Sequence, residues 1–227
     1  MQLTKVTLVT LLLLVFTVGA KSDTIDFVAM ANPGGNGESA YSSLVVPLSF
    51  GSLTVTGSTV TGGSAYAYLD SGFGGLGVCT ALNGSATTGP HPGSSANICN
   101  PSSDDNATAG DVLTFVFDED VIIETIWMNN NHDGDTSLLG DTMSIGGADY
   151  TFLNGGPGLN SFTLSAYSVA AGVPFVIANN NFPADNNKEF YVSQMAVHQP
   201  VPEPSSMLLL ITGLIGLGGS VKRKFLS

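Results

Sequence analysis

Positive charge is almost missing from the middle of this 227-residue chain. Between residues 21 and 200 the only lysines or arginines are Lys21 and Lys188, against 17 aspartates and glutamates, a formal net of −15. A body of that charge has no basic footprint for a phosphate backbone, and anionic lipid surfaces repel it. Nucleic acid is therefore excluded as a partner of the body. Metal cations and cationic groups are not, although acidity can also serve solubility alone. Cysteine is scarce, with only Cys79 and Cys99, too few for a zinc cluster. Histidine is scarce as well. His91 lies between two prolines, His198 abuts the tail, and only His132 has acidic neighbours, Asp133 and Asp135. No GxSxG elbow occurs, so nothing local assembles a serine nucleophile. Gly72-Phe73-Gly74-Gly75-Leu76-Gly77 has GxGxxG spacing. It leads into a Pro/Ser/Asn stretch rather than a helix, and so lacks the helix N-terminus a pyrophosphate needs.

Helical periodicity is also hard to find between residues 21 and 200. Short runs rich in Val, Ile, Thr, Tyr and Phe recur instead, separated by Gly, Asn, Pro and Asp: TIDFVAM, SLTVTGSTV, SAYAYLD, DVLTFVF, VIIETIWMN, TMSI, DYTFL, SFTLSAY, PFVIAN and EFYVSQMAV. This is strand composition with closely spaced turn signals, the pattern of an all-β sandwich. Leu113, Phe115 and Phe117 fall on one face at period two. Asp118-Glu119-Asp120 reads as the turn of a hairpin between two of these strands. Trp127, the only tryptophan, is expected to anchor the core. Residues 72–110 read as a long Gly/Ser/Asn loop holding both cysteines, and loops of that length are commonly functional.

The two ends differ from the body. Residues 1–20 have Lys5, an apolar core from Val6 to Val18, and small residues at the −3 and −1 positions of a cut between Ala20 and Lys21. That is the form of a removed signal peptide, the alternative being an N-terminal anchor. Residues 200–227 contain Pro202-Glu203-Pro204, then an apolar stretch over 205–221, then Lys222-Arg223-Lys224. The stretch is just long enough for a spanning helix, and the basic cluster predicts a C-terminus inside and a body outside. These three parts in order resemble the PEP-CTERM sorting signal of Gram-negative bacteria. The resemblance implies recognition by an exosortase, a membrane-embedded cysteine transpeptidase, and cutting near the Pro-Glu-Pro motif. An ordinary single-pass anchor is the alternative. Within the body, LDSGFGGLGVC, DDNATAGDVLTFVF, NNNHDGD and EFYVSQMAVHQPVPEP resemble a domain common among PEP-CTERM surface proteins. That second resemblance spans roughly residues 64–204 and implies a jelly-roll-like β-sandwich at the cell surface or in the extracellular matrix; the sandwich domain is expected over residues 21–199.

Export makes a Cys79–Cys99 disulfide the expected use of the two thiols. Closing a loop of about 20 residues stabilises by roughly 3 kcal/mol on the chain-entropy argument. Asp104, Asp105, Asn106 and Asp111 lie close together before a strand, and Asp70 ends another. Calcium takes oxygens from such groups, so Asp70, Asp104, Asp105 and Asp111 are candidate ligands. Turn formation alone is the plainer account. In NNNHDGDTSLLGD the bidentate glutamate of an EF-hand loop is replaced by Gly140, so a surface turn is expected there. Tyr66, Tyr68, Tyr150, Tyr167 and Tyr191 could present rings to a carbohydrate or serve as half-buried strand residues. The expected function is a non-catalytic, exosortase-sorted surface or matrix protein that binds polysaccharide and calcium. The alternatives are a secreted glycan-active hydrolase and a purely structural coat or floc component.

Overall fold

A computed structural model describes residues 20–35, 37–84, 87–88, 97–101, 105–129, 142–152, 160–179, 189–201 and 212–214. By internal contacts the chain divides into Lys21–Gln199 and a second unit of Met1–Ala20 with Pro200–Ser227. Of the second unit, residues 212–214 form an exposed helical piece. Among the described residues no helix is long and apolar enough to cross a membrane. Most of the stretch 205–221, the motif at 202–204 and the basic cluster at 222–224 lie outside them.

The body is all-β. Its strands are β1 (Ser22–Asp26), β2 (Ser39–Leu48), β3 (Gly51–Thr59), β4 (Tyr66–Asp70), β5 (Gly75–Cys79), β6 (Leu82–Asn83), β7 (Thr87–Thr88), β8 (Ile98–Cys99), β9 (Asp111–Phe117), β10 (Val121–Asn129), β11 (Thr142–Ile145), β12 (Ala148–Thr151), β13 (Asn160–Val169), β14 (Pro174–Asn179) and β15 (Tyr191–His198). One curled sheet runs β12-β11-β14-β9-β3-β2-β4-β5-β15-β10-β13, with β1 added against β15 and β7 against β2. All its described pairings are antiparallel except that of β7. β2 joins the two halves. Its Leu44–Leu48 part pairs β3, and its Ser39–Tyr41 part pairs β4. A strand shared in this way turns the corner between two layers, and inward side chains of both layers meet in one core.

Leu113, Phe115 and Phe117 are buried in that core, as their alternation requires. They join Leu53 and Val55 of β3, Phe175 and Ile177 of β14, and Ile123, Ile126, Met195 and Val197 from the other half. The short helix α1 (Phe27–Ala31) plugs one end. Phe27 is fully buried, its ring edge-on to Phe115 at 6.5 Å. Burying such a side chain contributes about 1.5–3 kcal/mol.

Three local readings change. TIDFVAM is a strand only to Asp26, where the Asp26 side chain accepts from the Ala29 N–H at 2.8 Å and caps a helical turn. Asp118-Glu119-Asp120 is not a hairpin turn. β9 pairs β3 and β14, whereas β10 pairs β13 and β15, so the segment crosses between the halves. Its carboxylates tie down other turns, Asp118 accepting from the Ser52 N–H and hydroxyl and Asp120 from the Ala171 N–H. The two Ser52 bonds hold the Asp118 carboxyl below its ordinary range. Trp127 is only partly buried, because Ile126 and Met128 take the core side of β10. β2 was not anticipated, being hidden in the sequence by its serines and Pro47, and the expected loop over 72–110 contains β5 and the short strands β6, β7 and β8. Beyond Tyr41 the pairing of β2 with β4 has ended, so a residue lacking an N–H is tolerated there.

Candidate metal centre under a stapled loop

The outer face of β4 and its neighbours carries a second, smaller cluster. On β4 the residues Ala67 and Leu69 face the main core, while Tyr66 and Tyr68 pack with Ala40, Cys79 and Cys99. Register places Gly77 opposite Tyr68 and Gly75 opposite Asp70. These glycines leave space above the sheet. A Cβ on Gly77 would run into the Asp105 carbonyl and come within 2.8 Å of the Asn106 Cα. A later segment of chain therefore lies directly on the strand.

That segment is fastened in three ways. Cys79 and Cys99 form a disulfide with Cα atoms 5.8 Å apart. The Ala40 N–H donates to the Asn97 carbonyl, and the Asn100 N–H donates to the Ala81 carbonyl. Further along, Ala107 and Phe190 exchange backbone hydrogen bonds, which sets residues 105–107 beside the start of β15. The Gly-rich stretch from residue 72 is thus a turn followed by strand β5. Where a dinucleotide loop would lead into a helix, Gly75–Cys79 is instead strand β5.

Between sheet and strap, carboxylate oxygens of Glu38, Asp70 and Asp105 lie within 4.8 Å of one another. Asp70 and Asp105 are 1% and 2% exposed, and Glu38 is partly buried. Hydroxyls fix them. Tyr68 donates to Glu38 Oε1 and Ser71 to Glu38 Oε2, both at 2.8 Å. Tyr191 donates to Asp105 Oδ1 at 2.7 Å. The Asp70 carboxylate bends over Gly74, where a Cβ would strike it. Burial and then the Glu38 carboxylate push the Tyr68 phenol far above its usual value, Asp105 adds to this, and the Cys99 N–H opposes it. Asn106, next in the chain, is fully buried, and its amide has no hydrogen-bond partner among the described residues.

Of the four aspartates expected to cluster, Asp70 and Asp105 are brought together. Asp111 is not among them, and its Oδ2 accepts from the Thr108 N–H and hydroxyl. Asp104 lies outside the described residues, as do His91, His132 and residues 130–141. Sequence reasoning missed Glu38. Its only sequence signal is that it directly precedes a β-rich run. Three of the candidate tyrosines have their hydroxyls engaged by the protein itself. Tyr68 and Tyr191 are buried with their hydroxyls on the carboxylates, and Tyr167 donates to the Gly146 carbonyl.

Grooves lie elsewhere among the described residues, one of them, of about 340 Å³, between β10 and β13 with Glu124 and His198 in its lining. Another of about 490 Å³ runs between β1 and Val45–Leu48 of β2. A further one of about 300 Å³ lies beside α1 and the Ser71–Gly74 turn. None of these is lined by Glu38, Asp70 or Asp105.

The family model of the PEP-CTERM protein-sorting motif matches residues 200–224. No curated protein and no solved structure matches the chain. The motif marks an exported, exosortase-sorted protein of the cell surface, and it covers the tail alone.

Proposed function

We propose that the body is a non-catalytic surface or matrix module that binds polysaccharide, with a calcium ion bracing the strap through Glu38, Asp70 and Asp105. In transit the apolar stretch 205–221 holds the chain in the inner membrane, Lys222-Arg223-Lys224 stay inside, and the exosortase cuts near Pro202-Glu203-Pro204.

One observation supports the body's role. The three carboxylates that converge do so under a fastened strap, and none of them lines the grooves described above. A glycosidase pair must flank a bound sugar, and these oxygens line none of those grooves. Carboxylates this close repel unless they share protons or hold a cation. An all-oxygen set with irregular geometry suits calcium better than magnesium, and zinc favours nitrogen or sulfur. The Asn106 amide oxygen is of the kind calcium accepts, and a cation at the cluster would give it a partner.

The test uses purified protein stripped with chelator. Millimolar calcium is expected to raise the melting temperature by several degrees, because it binds the folded state alone. Glu38→Gln should remove most of that rise. An unchanged melting temperature in the wild type overturns the metal. Release of reducing ends from a bound polysaccharide overturns the non-catalytic reading.

A further inference from the structure

The groove beside α1 carries a feature that neither the core nor the carboxylate cluster uses. Phe73 is 71% exposed and sits at φ +84°, in the left-handed region that a bulky residue rarely enters. Strain of this kind persists where the surroundings hold it, and it clusters at ligand sites. The surroundings do hold it. The buried Asn129 amide donates to the Gly74 carbonyl at 2.7 Å, Asn32 Oδ1 accepts from the Gly72 N–H, and Asp70 covers Gly74. The turn backbone on either side of Phe73 is therefore held, and it presents the ring to solvent in the lining of the groove.

Besides Phe73 the groove is lined by the apolar Val28 and Ala29 and by the polar Asp26, Asn32, Asn129, Ser193 and Gln194. Ser193 is fully buried, and its hydroxyl has no hydrogen-bond partner among the described residues. A buried hydroxyl left in that state is costly, and a ligand hydroxyl would relieve it. Gln194 Nε2 donates to Asp26 Oδ2, which holds both side chains in place and leaves the Gln194 carbonyl oxygen as an acceptor.

We propose that this groove is a subsite for a neutral hexopyranose glycan. It rests on the polysaccharide-binding reading above and names the place and the sugar class. A pyranose has an apolar C–H face that packs on an aromatic ring, and an edge of hydroxyls that both donate and accept. Phe73 meets the first requirement, and Ser193, Gln194 and Asn32 meet the second. Charge selects the class. The ionisable side chain of the groove is Asp26, on a body with a formal net of −15, so uronic-acid polymers are repelled. The volume, at the small end for ligand sites, takes a short stretch of chain rather than a long one.

The experiment titrates the full chain, by calorimetry, with a soluble galactomannan, a soluble β-glucan and polygalacturonate. Variants are Phe73→Gly, which removes the ring and relieves the backbone, and Phe73→Trp, which keeps a ring. At least one neutral polymer should bind saturably and polygalacturonate should not. Phe73→Gly should weaken binding about tenfold or more, a loss of roughly 1.4 kcal/mol, with a melting temperature no lower than wild type. Phe73→Trp should retain binding. Neutral-glycan binding that Phe73→Gly leaves intact overturns this subsite while the broader reading survives. Binding of polygalacturonate alone overturns the sugar class. Binding of none of the three overturns both.

Discussion

Tyr68 shows how much one side chain can join. Its hydroxyl donates to Glu38 and accepts from the Cys99 N–H, so it touches the carboxylate cluster and the strap at once. Burial and the Glu38 carboxylate favour the neutral phenol, which raises its folded-state value above the unfolded one near 10. The stability that follows is fully present below about pH 10 and is lost as pH rises through the folded value. Alkaline unfolding of the wild type should therefore steepen above about pH 10. Tyr68→Phe should lack that component while being less stable at neutral pH by about 1–3 kcal/mol, because Glu38 loses a buried donor. Urea midpoints measured from neutral to alkaline pH check this. Parallel pH profiles for the two proteins would show that Tyr68 is not the group responsible. That Tyr68 is a strand residue was legible from its neighbours in SAYAYLD. That its hydroxyl meets Glu38 was not, because the pair is created by the register of β4 on β2.

At the scale of elements, β5 and the strap depend on glycine for close approach. Gly75 has φ +120°, and a Cβ there would lie 2.9 Å from the Val192 carbonyl of β15. Gly77 lets the Asp105–Asn106 backbone rest on the sheet. Gly77→Ala should push that segment outward, with a cost of about 1–3 kcal/mol from overpacking. It should also shrink the rise in melting temperature proposed above for calcium, because Asp105 would leave Glu38 and Asp70. A loss of stability with the calcium response unchanged would separate the strap from the metal. The disulfide anchors the same strap, joining Cys79 at the end of β5 to Cys99 in β8. The sequence suggested a loop with a staple. It hid β5, because a run of glycines reads as a turn until a partner strand is known.

For the whole molecule, charge is the dominant physical fact. The body holds 17 acidic residues against two basic ones, and its self-repulsion opposes folding at low ionic strength. Screening falls to about 8–10 Å at physiological salt. Raising sodium chloride from about 10 to about 200 mM, with chelator present, should therefore raise the melting temperature. A flat or falling curve would mean that local hydrogen bonds such as Ser52–Asp118 already offset the repulsion. The same charge bears on the proposed activities, favouring a divalent cation and a neutral glycan.

Sequence alone was enough for properties that depend on composition and short-range order. The acidic body, the sorting tail, the alternation that buries Leu113, Phe115 and Phe117, and the pairing of the only two cysteines all belong here. Each follows from solvent preference, the period-two pleat or a count. Tertiary structure alone decided which acids converge. Asp104 and Asp111 were attractive because they are close to Asp105 along the chain, yet Glu38 and Asp70 are the groups that meet it. Long-range strand register and a strap that crosses Gly77 set that arrangement. A strand's partners are chosen by the fit of whole faces against one another, and no short window of sequence contains that information.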